Sequence, residues 1–166
     1  MAGDLYFVDP NPGRDQEGPE QGVRLEVRLV RKGDLIGSIY ASRPITVDEP
    51  IWRADLLESV ENPGSFDRTH HHPNMRGWEP SARKFDKKMS ADPVAFVGER
   101  LGDLDTLLRE ADRSTEEVGP TDADELRAAV PEILAVVQRL LDRVRAGELA
   151  QPPAGDDVTM ARESWL

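Results

Sequence analysis

In VRLEVRLV (23–30) the residues alternate from 23 to 29: Val23, Leu25, Val27 and Leu29 fall on one side, Arg24, Glu26 and Arg28 on the other. A period of two marks a strand with one face on a core. Beyond residue 92 the period changes. Asp92 and Pro93 form an N-cap and first-turn pair, and Val94, Val97, Leu101, Leu104, Leu108 and Ala111 recur at spacings of three and four, as on one side of a helix. A second such stripe, Leu126, Val130, Ile133, Val137, Leu140 and Val144, follows Thr121 and Asp122 as candidate caps and stops at Gly147, with Pro131 expected to kink it or delay its start. A chain that passes once from strands to helices, without alternating between them, predicts an α+β fold. The expected architecture is a small antiparallel β-meander followed by a His-rich loop and a C-terminal α-helical hairpin.

The remaining segments fill in that plan. RKGD (31–34) reads as a turn into a second strand, LIGSIYAS (35–42), and IWRADLLES (51–59) as a third strand closed by the turn signal ENPGS (61–65). DPNPGRDQEGPEQG (9–22) is dense in Pro, Gly and charge. Residues 1–22 are therefore expected to be a flexible leader, the alternative being that Leu5, Tyr6 and Phe7 pack into the core as an extra strand. One domain is expected over 23–147, comprising a sheet at 23–60, a His-rich basic loop at 61–90 and helices at 92–147. Residues 148–166 read as a flexible tail whose Trp165 and Leu166 would anchor on this chain or in a partner's groove. The helical hairpin would cover the sheet or form a homodimer with a second copy.

Composition narrows the chemistry. The chain has 166 residues, enough for one domain with a core, and no Cys, so thiolate catalysis and cysteine-ligated zinc are excluded. The first residues lack the basic and apolar regions of a secretory signal, and no segment approaches about 18 consecutive apolar residues; a cytoplasmic protein with no membrane partner is expected. The net charge of −11 opposes attraction to polyanions. Residues 68–88 are the exception: Arg68, Arg76, Arg83, Lys84, Lys87 and Lys88 face only Glu79 and Asp86, a local +4. Such an island is also what a solvated loop, or a patch docked on the chain's own acidic helices, would show.

All three histidines, His70, His71 and His72, stand side by side in this island. In an extended strand His70 and His72 would converge while His71 faces away. With Asp67 or Glu58 they would offer two imidazoles and a carboxylate to a metal, but metal sites usually draw ligands from helical or distant spacings; neither a metal nor another cofactor is expected. A metal-free use is acid–base chemistry on a phosphodiester. One of the three would withdraw a 2′-hydroxyl proton, another would protonate the leaving oxygen, and Arg68 or Arg76 would hold the phosphate. Arg83 and Lys84 would extend the binding surface, and Trp78 would stack a base. The bland alternative is a turn shaped by Pro73 and Gly77 in which the imidazoles cap backbone groups. GERLGDLD (98–105) lacks the lysine and context of a phosphate-binding loop.

The order of a meander, the strand IWRADLLES, the stretch DRTHHHPNMRGWEP and a helix opening DPVAF resembles the TumE-type toxins of bacterial toxin–antitoxin pairs over about residues 23–111. Trp52, Arg53 and Asp55 match that family's strand motif, and His71, His72 and Pro73 its first His-Pro element. RGWEPSARKFDKK stands where a second histidine cluster would follow, and the long C-terminal helix and tail are extra. The resemblance implies a toxin acting on RNA as a ribonuclease and held by an antitoxin. The competing expectation is a non-enzymatic adaptor that binds a protein partner through its C-terminal helices and tail.

Overall fold

The computed structural model describes residues 2–7, 20–33 and 45–148, with side chains described for 20–30 and 49–148. Strands β1 (Ala2–Phe7), β2 (Glu20–Gly33), β3 (Ile45–Ser59) and β4 (His70–His72) form one antiparallel sheet in chain order. A two-stranded hairpin, β5 (Met75–Arg76) and β6 (Glu79–Pro80), turns through Gly77, whose φ of 60° suits glycine. Helices α1 (Lys87–Ala91), α2 (Pro93–Gly102), α3 (Leu104–Glu110) and α4 (Asp122–Arg145) follow, with α4 packed on α2, α3 and β2. The fold is the α+β meander and helical hairpin that the change of period predicts.

The alternation in β2 places Val23, Leu25 and Leu29 in the core, where they meet Trp52, Ala54 and Leu56 of β3. Phe96, Val97, Leu101, Leu104, Leu107 and Leu108, with Val137, Leu140 and Leu141 of α4, close the core from the helical side. The apolar stripe from Val94 to Ala111 does lie along one surface, but two helices carry it. Asp103 ends α2 and caps α3, its carboxylate accepting from Thr106 N at 3.0 Å. By contrast α4 ends beside Gly147, as its periodicity predicts, and it begins at Asp122 and runs on through Pro131, so the delayed start that the proline suggests does not occur.

Four other expectations meet a different outcome. Ala2–Phe7, placed in a leader by its neighbours' composition, pairs with Glu20–Leu25 as an edge strand, and β2 itself begins at Glu20. Arg31–Gly33, expected to turn, continue β2, whose partner is Ile45–Ser59; LIGSIYAS lies outside the described residues, as do Trp165 and Leu166. β3 also passes through Pro50, which the proline rule places outside a strand. The register slips by one residue there, Val27 facing Trp52 and Arg28 facing Pro50, so Ile51 is the extra residue of a bulge that accommodates the missing N–H. The expected His-rich loop is partly regular: its histidines form β4 and its end forms α1.

Two contacts fix how these elements sit, one within the sheet and one between the sheet and α4. Gly22, with φ of 152°, lies so close to β3 that an added Cβ would come within 2.0 Å of the Leu56 carbonyl oxygen. Glu58, 1 % exposed, accepts from Arg145 Nε at 3.0 Å and Nη2 at 2.9 Å, from Gly64 N at 2.7 Å and from Gln21 Nε2 at 3.3 Å. The end of α4 is thereby held to β3. Arg145→Ala is expected to lower stability by about 1–3 kcal/mol, because Glu58 keeps its other donors but loses a charged pair; urea unfolding followed by circular dichroism checks it, and an unchanged midpoint would show that those donors suffice.

Candidate functional site

The sheet has a second face. Because β2, β3 and β4 pair in register, Arg24 lies opposite Asp55 and Asp55 opposite His70, while Glu26 lies opposite Arg53 and Arg53 opposite His72. Two polar rungs, Arg24–Asp55–His70 and Glu26–Arg53–His72, thus cross three strands side by side. They point away from the helices, since the intervening Leu25, Ala54 and His71 face the core.

Asp55 is the centre. Only 1 % exposed, it accepts from Arg24 Nε at 2.6 Å, and its other oxygen lies 3.1 Å from Arg53 Nε, 3.4 Å from His70 Nε2 and 3.3 Å from His72 Nε2. Burial pushes this carboxyl up, but the two imidazoles and two guanidinium groups outweigh it and hold the pKa well below the ordinary value.

The imidazoles are oriented from behind. His70 Nδ1 lies 2.8 Å from the Arg68 carbonyl oxygen and His72 Nδ1 2.6 Å from that of Ser81, so both Nδ1 atoms donate and both Nε2 atoms turn inward. Both Nε2 atoms face Asp55 Oδ2, and they differ in one partner: Arg53, which has only donors, also meets His72 Nε2 at 3.1 Å, assigning that nitrogen a lone pair. The rings stand edge to face with centroids 5.1 Å apart. One strand therefore presents two imidazole nitrogens side by side on one carboxylate, the His72 nitrogen as an acceptor.

Around this pair, Phe85 packs on His70 at 5.5 Å between centroids, and Arg28, bonded to Glu26, lies 4.9 Å over Trp78. Phe85 and Trp78 are 63 % and 65 % exposed, unusual for rings of that size. Glu20 belongs to the same face: burial raises its pKa, while Arg83, Arg68 and His70 draw it down.

The structure divides the residues singled out from sequence. It brings His70, His72, Arg68 and Arg83 to one face. His71 is fully buried on the other, between Trp52 at 6.1 Å and Phe96 at 5.3 Å, and so cannot meet a substrate beside its neighbours. Lys84 is exposed and bridges the backbone of His71 rather than a side chain of the cluster; Arg76 is exposed on the β5–β6 hairpin. The carboxylate in the cluster is Asp55. Asp67 instead closes the turn after β3, accepting from Ser59 N, Ser59 Oγ and Ser65 Oγ, and Glu58 lies on the helical side.

Asp55, His70 and His72 offer ligand atoms within 4.8 Å of one another, the spacing of a two-histidine, one-carboxylate metal site. The donors do not fit that use. Arg53 already meets two of the three, and with Arg24 it would set two positive charges against a divalent ion. Among the described residues no helix is long and apolar enough to cross a membrane. Comparison of the chain with family models, with curated proteins and with solved structures finds no match in any of the three.

Proposed function

We propose that the chain is a toxin-like, metal-independent RNA-cleaving enzyme whose centre is the His70–His72 pair on the open face of the sheet. The observation that carries this reading is a pair of inward-facing Nε2 atoms, each oriented by a backbone carbonyl at Nδ1, one of them accepting from Arg53 and both beside a buried carboxylate among cations. In this mechanism His72 Nε2 takes the 2′-hydroxyl proton, the 2′-oxygen attacks phosphorus, and the bond to the 5′-oxygen breaks. His70 Nε2 gives its proton to that leaving oxygen, so the products are a 2′,3′-cyclic phosphate and a 5′-hydroxyl. Arg24, Arg53 and Arg68 stabilise the charge gathering on the phosphate oxygens, and Trp78 and Phe85 receive bases by stacking.

His70→Ala and His72→Ala are each expected to lower cleavage of a single-stranded RNA by about a hundredfold or more and to relieve any growth arrest caused by expression. A chelator should leave the wild-type rate unchanged. Cleavage that persists in both variants, or stops with chelator and returns with a divalent ion, would reject the mechanism.

A second reading, the non-enzymatic adaptor, draws on a groove of about 400 Å³ between β2, α2 and α4, lined mainly by apolar residues including Leu25, Val27, Leu101, Leu126 and Ile133. A protein partner captured by the wild type and lost on Ile133→Glu, with no RNA cleavage by either, would favour it.

A further inference from the structure

We infer that Arg53 is the seat of a phosphate subsite and that it masks His72 until a phosphate oxygen draws it away. This rests on the acid–base reading of the cluster and adds how its base is exposed. Arg53 is mostly buried, its side chain 14 % exposed. Its Nη2 is spent on His72 Nε2, the lone pair the mechanism needs. Its Nε lies 3.1 Å from Asp55 Oδ2 but off the line of a well-aligned hydrogen bond, leaving this buried N–H poorly satisfied.

A guanidinium does not escape that situation by losing its proton in a protein. Nor do its neighbours supply a better acceptor. Asp55 Oδ1 is taken by Arg24, and Glu26, on Arg53's own rung, is taken by Arg28 at 3.0 and 2.6 Å. The planar fork of Arg53 is thus filled unevenly, Nη2 by an imidazole nitrogen and Nε by a misaligned carboxylate oxygen, and a phosphate group carries two oxygens at the spacing that would fit both. When such a group accepts from the fork, Nη2 leaves His72 and the lone pair is uncovered beside the bound phosphorus. The base is available only when its substrate is present.

The test uses the full chain with 15N-labelled histidine, the His72 Nε2 resonance being assigned by its loss in His72→Gln. The wild type is titrated with inorganic phosphate and, separately, with a short RNA whose 2′-oxygens are methylated so that it cannot be cut. His72 Nε2 is expected to shift on saturation while the His71 ring signals stay in place. Arg53→Lys keeps the charge without the fork, and its affinity for the responding ligand should fall about tenfold or more; Arg53→Gln should abolish the response. If Arg53→Gln does not fold, the wild-type titration and Arg53→Lys carry the test. A shift with both ligands assigns the subsite to any phosphate group, and a shift with RNA alone assigns it to the chain diester. A His72 resonance unmoved by either ligand, or an Arg53→Lys titration identical to wild type, overturns the inference. A His72 response with no cleavage of unmodified RNA would keep the subsite and remove the nuclease, whereas cleavage without the response would do the reverse.

Discussion

Asp55→Ala is expected to cost the fold about 3–5 kcal/mol, the loss typical when one member of a buried charge network is removed. The residue is 1 % exposed and is the only carboxylate among the described residues that meets Arg24, Arg53, His70 and His72 together. Without it two guanidinium groups, 17 % and 14 % exposed, lose the one carboxylate that both of them meet across β2 and β3. Asp55→Asn keeps the volume and one oxygen, so it should lose less. The wild type should show a matching pH dependence. The folded-state pKa lies below the unfolded one, so the stabilisation is complete above the ordinary value of 3.8 and is lost as pH falls towards the folded-state value. Urea midpoints for wild type and both variants between pH 7 and pH 3 provide the measurement; a loss of less than about 1 kcal/mol at pH 7 in Asp55→Ala would mean that solvent and Glu20 replace the carboxylate.

The parts of the fold legible in the sequence are those whose signal is local. VRLEVRLV declares its faces within eight residues, and the stripe from Leu126 to Val144 declares α4 in the same way. β1 was hidden because a short strand at a sheet edge is held by backbone pairing to β2, which composition does not report. The break at Asp103 was hidden for a different reason: apolar spacing continues across it, and only the capping bond to Thr106 marks the end of one helix and the start of the next. Pro50 and Ile51 mislead as a strand boundary, since the bulge that tolerates a proline depends on the partner strand.

The site follows the same division. That His70 and His72 converge and His71 turns away is dictated by the pleat. Their carboxylate is not, because Asp55 reaches them through register between strands. Asp67 and Glu58 were the nearer candidates in their residue types, yet one closes a turn and the other lies on the helical side. A usable signal was nevertheless present: Arg24 and Glu26, Arg53 and Asp55, and His70 and His72 are polar pairs two residues apart on three separate strands. A strand that carries such a pair between apolar neighbours is offering two adjacent positions on its outer face, and three of them predict a polar patch once the strands are set side by side.

His71 gives the second large effect, with the opposite dependence on location. It is fully buried, neither ring nitrogen has a hydrogen-bond partner, and its surroundings are Trp52 and Phe96. Burial lowers its pKa from 6.5 to about 4, with Lys84 and Arg100 pushing the same way and Glu110 and Asp86 opposing. Above pH 6.5 the ring is neutral in folded and unfolded chains alike. Between pH 6.5 and 4 the unfolded chain binds a proton that the folded chain refuses, so stability falls with pH, reaching a loss of about 3 kcal/mol once both states are protonated. His71→Leu removes this dependence. At pH 7 it should be neutral or slightly stabilising, since it deletes two unsatisfied polar atoms from the core; at pH 5 it should exceed wild type by a further margin of about 2 kcal/mol. Because His71 faces away from Asp55, the variant should also keep the RNA cleavage that His70→Ala and His72→Ala lose. Thermal and urea unfolding at the two pH values, with cleavage measured at neutral pH, separates the two faces of β4. Equal pH dependence in variant and wild type would show that His71 finds a partner on protonation, and loss of cleavage would show that the strand cannot hold His70 and His72 in place without the ring between them.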